Sequence, residues 1–252
     1  MRRVRGGLRH QLRAILVLAW LNGLLPIARS PLWVVSTMSM PISLLILLAI
    51  LYRGAGLIMG IVGGLVWTVL SSGTSLIGDA AYYRLELKFQ QMIVATPTNP
   101  LAYAIGLALS EVVFTLPGIA LFAVLLVVTV PINQWGATAI AVSLALLWYS
   151  VSTLAFYSST LFAYVRYTWA VVSIVTLVLG ILPPVYYPAT YLGKAWWLAY
   201  LVPTSASALV MQDAVGITHY SPAQIGLAYL SEAAWCLVGT LLVIRAARWR
   251  SP

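Results

Sequence analysis

The chain has 252 residues, of which 62% are hydrophobic and only 8% are charged. Soluble domains carry roughly 25% charged residues, so this composition excludes an ordinary soluble protein. The net charge is +9, with 14 Lys and Arg against 5 Asp and Glu. Because the basic residues flank apolar runs, we attribute the charge to membrane topology and expect no binding to nucleic acid. We predict a single transmembrane domain over residues 1–252, without a separate folded soluble domain.

The N-terminal segment, residues 1–30, combines basic residues with a short apolar run. Arg9 and Arg13 precede the apolar stretch Ala14–Pro26, which is shorter than the roughly 20 residues that a membrane span needs. We predict that Leu8–Leu25 forms a helix on the cytoplasmic interface with its apolar side toward lipid. A span that begins earlier is the alternative. No small-residue cleavage site precedes the next apolar segment, so we expect no signal-peptide cleavage.

The remaining apolar runs predict six transmembrane helices and an all-α integral membrane fold. The predicted spans are Pro31–Tyr52, Leu57–Asp79, Leu101–Val130, Ala137–Phe162, Trp169–Leu182 and Gln224–Ile244. Residues 80–100 form the first clearly polar connection. Residues 183–220 contain apolar pieces that are too short to cross. Ala195–Leu209, interrupted at Pro203, is therefore predicted to form a re-entrant pair of half-helices before the last span.

The distribution of basic residues predicts the orientation. Six spans place both termini on one side, together with residues 80–100. The basic residues on that side are Arg2, Arg3, Arg5, Arg9, Arg13, Arg29, Arg84, Lys88, Arg166, Arg245, Arg248 and Arg250, and those on the other side are Arg53 and Lys194. Positive residues mark the cytoplasmic side, so we expect a multi-pass plasma-membrane protein with both termini in the cytoplasm.

The sequence lacks the motifs of a membrane enzyme. It contains no G-x-x-x-x-G-K-[ST] phosphate-binding loop and no G-x-S-x-G nucleophile motif. His10 and His219 fall on opposite faces of the predicted topology, and the single Cys236 lies in an apolar run. We therefore expect no catalytic residues, no metal site and no cofactor bound by this chain itself.

Two carboxylates and one aromatic pair are candidates for a substrate pathway. Glu111 and Glu232 lie inside predicted spans, where an ionised group is costly and often functional. They could line a transport path or carry protons, but a carboxylic acid bonded to a neighbouring helix also fits. Trp148 and Tyr149 could contact a substrate or belong to the interfacial aromatic belt. A stand-alone proton-coupled transporter or pore using Glu111 and Glu232 is therefore one hypothesis.

The cytoplasmic connection has an amphipathic pattern of helical spacing. Its apolar side comprises Leu85, Phe89, Met92 and Ile93, and its polar side comprises Arg84, Lys88 and Gln91. A connector lying on the membrane and a docking helix for a cytoplasmic partner both fit this pattern.

Several motifs along the chain resemble the six-span permease subunits of ABC-2 type exporters. The cytoplasmic loop ends in Ala95–Pro100, and the third span opens with Ile105-Gly106. The fifth span ends in the proline-bounded turn Leu182–Pro188, and Leu201–Thr204 supplies a Pro-Thr pair before the last span. The resemblance covers nearly the whole chain and lies in the order and spacing of these motifs.

The resemblance implies a function and a set of partners. The chain would form the substrate pathway of an ATP-driven exporter as a homodimer, or as a heterodimer with a sister permease, among membrane lipids. Two copies of a separate ATP-binding subunit would hold ATP and magnesium. The residues that would couple to that subunit are Arg84, Leu85, Glu86, Lys88, Phe89, Gln90 and Gln91, and those of an external gate are Pro184, Tyr186, Tyr187 and Pro188. The cargo would be apolar, amphipathic or a neutral or lipid-linked glycan, because the predicted spans lack basic residues.

Overall fold

The computed structural model describes residues 7–24 and 31–247. Nearly all of these residues are helical, and no strand occurs among them. The basic residues of the topology argument that lie outside the described residues are Arg2, Arg3, Arg5, Arg29, Arg248 and Arg250. The predicted helix of the N-terminal segment falls within the described residues except at its last position, Leu25.

The helices follow one another with short connections. In chain order they are α1 (Leu8–Ala19), continued by a π-helical turn (Trp20–Leu24), α2 (Pro31–Leu85), α3 (Phe89–Val94), α4 (Pro100–Thr129), α5 (Gln134–Ser159), α6 (Val165–Ile181), a 3₁₀ segment (Ala189–Tyr200), α7 (Pro203–Ala214) and α8 (Pro222–Arg245).

Five helices are long and apolar enough to cross a membrane, which confirms the all-α transmembrane character predicted from the sequence. They are Val35–Tyr52 and Gly56–Leu85, both within α2, and then α4, α5 and α8. The remaining predicted span corresponds to α6, which has 17 residues and is shorter than a typical span of about 20.

Helix α2 is folded back on itself. Fifteen residues separate Leu45 from Gly60, and a straight helix would hold them about 22 Å apart. Instead, a Cβ atom built on Gly60 would lie 3.0 Å from the Cα atom of Leu45. The chain therefore reverses between these residues, where the turn Arg53–Gly56 was predicted. We call Val35–Tyr52 arm 1 and Gly56–Leu85 arm 2.

Arm 2 lies at the centre of the helix bundle. In its most apolar window 78% of the residues are buried, against 11% for arm 1. Glycines bring the neighbouring helices close: Gly64 faces the ring of Phe122 in α4. Gly73 approaches Val151 of α5, whose Cγ1 atom would be 2.6 Å from an added Cβ. Small residues at such contacts let helices pack tightly in a membrane, where close packing replaces the hydrophobic effect.

Helix α1 runs alongside the first half of α4. Gln11 contacts the residues just before α4, Leu18 packs on Gly106, and Gly23 lies against Val113. Residue numbers rise together on both helices, so their axes are parallel. Helix α1 therefore packs along the first half of α4, and its exposed side after Arg13 is entirely apolar. The placement of α1 in the interface stays a prediction.

Side-chain caps mark the starts of α4 and α8. Asn99 accepts a hydrogen bond from the backbone N–H of Ala102 at 2.6 Å, and Pro100 follows at the first position of α4. Ser221 and Gln224 form a reciprocal capping box at the start of α8. Such caps satisfy the first N–H groups of a helix, which have no partner within it.

Helix α7 packs inside the bundle, whereas the 3₁₀ segment is buried only at its two ends. The Ser231 hydroxyl donates to the carbonyl of Tyr200, and the Trp235 indole donates to that of Leu201 at 3.1 Å. Both donors lie near the middle of α8, so the chain between the two short helices reaches half-way along that span. Helix α7 begins at Pro203, where the sequence predicted a break, and its residues up to Gln212 are buried.

Candidate functional site

The connection between arm 2 and α4 is not one continuous helix. Helix α2 ends at Leu85, and Lys88 adopts a left-handed conformation with φ of 52° before α3 begins. Met92 is 60% exposed, whereas Gln90 is only 3% exposed. The predicted single amphipathic helix is therefore interrupted, because the left-handed conformation of Lys88 changes the direction of α3 relative to α2. We call residues 86–95 the coupling segment.

Arg84 is an internal anchor. Its side chain is 8% exposed, and its Nη2 atom donates to the carbonyls of Ser159 at 2.8 Å and Phe162 at 2.6 Å. These carbonyls lie at the end of α5, where they lack partners within the helix. The prediction that Arg84 belongs to an exposed polar face is therefore wrong: this residue joins the end of α2 to the end of α5.

The coupling segment presents a mixed surface to the outside. Its exposed side chains include Glu86, Leu87, Lys88, Gln91 and Met92. Leu85 and Phe89, which were predicted to contact a partner, are half-buried. A charged pair of residues with exposed apolar neighbours is a surface that suits contact with another protein.

Contacts lie at both ends of the coupling segment. The rings of Tyr83 and Phe89 lie 6.0 Å apart and join α2 to α3. Just after the segment, Gln11 of α1 donates to the Pro97 carbonyl at 2.8 Å and accepts from the Asn99 backbone N–H at 3.0 Å. The segment is therefore joined to α2, and the residues between it and α4 are joined to α1.

Glu111 has a partner that the sequence interpretation missed. Its side chain is 8% exposed and lies within hydrogen-bonding reach of the side chain of Asp79 in arm 2. Two carboxyl groups share a hydrogen bond only when one of them carries a proton. The signal was present in the sequence, since Ala80-Ala81-Tyr82-Tyr83 extends the apolar run beyond Asp79.

Glu232 lies in a separate polar cluster between α5, α7 and α8. Its Oε1 atom accepts a hydrogen bond from Ser143 at 2.6 Å, and the hydroxyls of Ser143 and Ser207 are 2.9 Å apart. Glu232 is fully buried, and its Oε2 atom has no hydrogen-bond partner among the described residues. No hydrogen bond links this cluster to Glu111 in the described part of the chain, so the structure does not bring the two predicted carboxylates together.

Trp148 and Tyr149 line a cleft between α4 and α5. The cleft is small and has room for about one water-sized group. Its lining residues are Ala104, Ile105, Ala108, Trp148, Tyr149, Ser152 and Thr153. None of these residues is charged.

The polar atoms of the cleft fall into two groups. The Tyr149 hydroxyl is hydrogen-bonded to Thr240 of α8 at 2.8 Å, and Thr153 donates to the Tyr149 carbonyl at 2.9 Å. The buried Nε1 atom of Trp148 and the buried hydroxyl of Ser152 have no partner among the described residues. A buried polar group without a partner costs about 1–3 kcal/mol and is rare in native proteins.

Tyr186, one of the residues predicted to form an external gate, packs against the first half of arm 2. Tyr186 is buried beside Gly63, and the Tyr187 hydroxyl donates to the Leu182 carbonyl at 2.6 Å. The Gln212 amide of α7 lies 3.4 Å from the Pro184 carbonyl. Burial raises the pKa of Tyr187, so this donor is neutral at physiological pH. Pro188 is also buried, just before the 3₁₀ segment.

Comparisons with known proteins assign no family to the chain. No family model, no curated protein and no solved structure matches it. Within residues 7–24 and 31–247, no three His, Cys, Asp or Glu side chains come together as metal ligands would. The proposals below therefore rest on the residues and their geometry, together with the resemblance in motif order.

Proposed function

We propose that the chain is the transmembrane subunit of an ATP-driven exporter of the ABC-2 type. The observation that carries this proposal is the coupling segment, an exposed connection between the buried arm 2 and α4. The Tyr83–Phe89 contact holds its start, Arg84 fixes the end of α2 just before it, and Gln11 binds Pro97 and Asn99 just after it. A segment held in this way can receive a displacement from a cytoplasmic subunit and pass it to the spans.

The energy source would be another chain. The sequence has no phosphate-binding loop, so ATP and magnesium would be bound by two copies of a separate ATP-binding subunit. That subunit would contact Leu87, Lys88 and Met92, the residues that the coupling segment exposes. Its movement would shift arm 2, the most buried helix of the bundle, and with it the helices that pack on arm 2.

The substrate pathway would form between two permease chains. In this topology α6 is the fifth of six crossings, and the 3₁₀ segment and α7 form a re-entrant pair that caps the external exit. Both termini face the cytoplasm, and the protein resides in the plasma membrane as a homodimer or a heterodimer with a sister permease. The predicted spans lack basic residues, which supports a cargo that is apolar, amphipathic or a neutral or lipid-linked glycan.

Charge reversal at the coupling segment tests this proposal. We expect Lys88→Glu to reduce ATP-dependent transport in proteoliposomes at least tenfold, while the chain remains folded and the ATP-binding subunit retains its own hydrolysis. The matched control is Lys194→Glu, an exposed position in the 3₁₀ segment on the predicted external side. Equal loss of transport in the two variants would contradict a specific role for the coupling segment.

A stand-alone proton-coupled transporter is the second candidate. The close approach of Asp79 and Glu111 favours it, because a hydrogen bond between two carboxyl groups needs a proton inside the bundle. Under this hypothesis, transport in vesicles without ATP would persist and would stop when the proton gradient is dissipated. The exporter proposal predicts that transport stops without ATP. It also predicts that transport with ATP continues when the proton gradient is dissipated.

A further inference from the structure

The outer side of α1 carries two arginines followed by two large apolar side chains. Four exposed residues, spaced three or four positions apart, form one stripe along the helix: Arg9, Arg13, Leu16 and Trp20. Leu16 is 68% exposed and Trp20 is 62% exposed. The side of α1 that packs on α4 through the buried Leu18 lies opposite this stripe. The stripe therefore faces away from the helix bundle.

The two arginines have no counter-charge in the described chain. Neither guanidinium forms a salt bridge or a side-chain hydrogen bond within residues 7–24 and 31–247. Of the five acidic residues of the chain, only Glu86 is exposed, and neither arginine pairs with it. Helical side chains point back toward the N-terminus, so Arg13 leans toward the turn that carries Arg9. Because the guanidinium group matches the geometry of a phosphate, this end of the stripe is complementary to a phosphate from outside the chain.

The apolar end of the stripe indicates that the phosphate belongs to a lipid. At 1.5 Å per residue, Trp20 lies about 10 Å beyond Arg13 along the helix. No charged residue follows Arg13 in α1 or in the π-helical turn. A soluble phosphate compound or an acidic protein segment would leave this apolar surface uncovered, whereas an acyl chain would cover it. A phosphate group next to an acyl chain is the chemistry of a phospholipid.

The order of the residues along α1 fits the direction of a lipid in the leaflet at the start of α4. Helix α1 runs parallel to the first half of α4, which is long and apolar enough to cross a membrane. If α1 enters the membrane beside α4, the two arginines lie at the head groups, and Leu16 and Trp20 lie deeper, beside the acyl chains. A helix lying flat would hold the whole stripe at one depth, which cannot suit both the arginines and the apolar residues. The proposal therefore takes the placement in which α1 enters the membrane.

We propose that the outer side of α1 binds an anionic phospholipid, with its phosphate on Arg9 and Arg13 and an acyl chain along the apolar end of the stripe. A head group with a net negative charge is preferred to phosphatidylcholine, because the choline cation would stand close to two guanidinium groups. The site does not rest on the proposed function, since it uses only α1 and its packing on α4.

Photolabelling of the full-length chain in nanodiscs tests this site. The nanodiscs consist of phosphatidylcholine with a small fraction of phosphatidylglycerol that carries a diazirine in the middle of one acyl chain. We expect label on the part of α1 that contains Leu16 and Trp20, located by mass spectrometry of peptides. An excess of unlabelled phosphatidylglycerol should displace the label, whereas phosphatidylcholine in its place should not.

Charge variants separate this site from general attraction to an anionic bilayer. If each arginine contributes as basic residues near an anionic surface do, Arg9→Gln and Arg13→Gln should each weaken binding about fivefold, and the double variant about 30-fold. Arg13→Lys keeps the charge and should stay within about twofold of the wild type. Arg166→Gln is the matched control, because it removes the same charge from an exposed arginine at the start of α6, and it should leave the labelling of α1 unchanged.

Four results would overturn the proposal. Displacement by phosphatidylcholine as effective as that by phosphatidylglycerol would show that α1 has no preference for an anionic lipid. Unchanged labelling in the double variant would show that Arg9 and Arg13 do not bind the phosphate. An equal loss in Arg166→Gln would leave only the general attraction of a basic protein. Label mainly before Arg13 would reject the entry of α1 into the membrane.

The outcome is independent of the exporter proposal. None of these measurements involves ATP or transport, so an anionic lipid at α1 would stand even if transport needed no ATP. Conversely, loss of the site would leave the coupling segment and its ATP-binding partner to be tested on their own.

Discussion

Replacement of Arg84 by lysine tests whether the hydrogen bonds of Arg84 stabilise the fold beside the coupling segment. The test does not depend on the binding of a partner subunit. The arginine donates two hydrogen bonds to carbonyls at the end of α5, at 2.8 and 2.6 Å. A lysine keeps the charge, but its side chain is one atom shorter, so its ammonium group does not reach the position of the arginine Nη2 atom, which donates both bonds. A hydrogen bond that involves a charged group contributes about 1.5–3 kcal/mol, so we expect Arg84→Lys to lower the free energy of unfolding by about that amount.

Unfolding of the purified chain in mixed micelles, with an increasing fraction of denaturing detergent, measures this change. Circular dichroism and tryptophan fluorescence follow the transition. The control is Lys88→Gln, which alters an exposed residue of the coupling segment and should leave the unfolding free energy within about 0.5 kcal/mol of the wild type. An Arg84→Lys variant as stable as this control would refute the anchoring role of Arg84.

Three further predictions concern the contacts of α4. Gly106→Ala should destabilise the chain by about 1–3 kcal/mol, because the new Cβ would meet α1 at 3.0 Å or less. Gly226→Ala is the control, because a Cβ atom built on Gly226 meets nothing within 4 Å, and it should be neutral or stabilising. Equal unfolding curves for Gly106→Ala and Gly226→Ala would contradict the packing of α1 on α4. Asn99→Ala removes the cap of α4 and should cost about 1 kcal/mol in the same assay, whereas no loss would mean that the cap is dispensable. Glu111→Gln retains a donor for Asp79 and should keep the free energy of unfolding within about 0.5 kcal/mol of the wild type. Glu111→Ala should lower it by about 1–3 kcal/mol. An equal loss in both variants would reject the carboxyl pair.

The spans were predictable because lipid imposes a strong constraint on the sequence. A chain that crosses hydrocarbon must satisfy its backbone internally and must be apolar for about 20 residues, so α4, α5 and α8 were found to within about three residues at each end. The predicted turn at Arg53–Gly56 lies where the chain reverses between arm 1 and arm 2. Glycine-rich sequence between two apolar runs favours such a reversal.

The placement of α1 was not predictable from its own sequence. A short apolar stretch after basic residues has the same composition whether it lies in the interface or beside a span. Its position depends on Gln11, which bonds to residues far along the chain, and on Gly106, which provides the space for Leu18. Contacts of such long range leave no periodic signal in either segment.

The polar partners inside the bundle were missed for a similar reason. Serine is common in membrane helices, so Ser143 carried no sign that it would meet Glu232. Asp79 was assigned to the end of a span because a carboxylate is expected near water. The left-handed conformation of Lys88 was equally hidden, since lysine has no special preference for it, and this residue decides which side of α3 is exposed.

Identification of the chain's neighbour in its native membrane tests the exporter proposal most directly. A photo-crosslinking amino acid in place of Lys88 would be activated before gentle purification, and the partners would be identified and quantified by mass spectrometry. The control carries the same amino acid in place of Lys194. The account predicts an ATP-binding subunit in near-equal amount, crosslinked from position 88 and not from position 194. Recovery of the chain without an ATP-binding partner would contradict it.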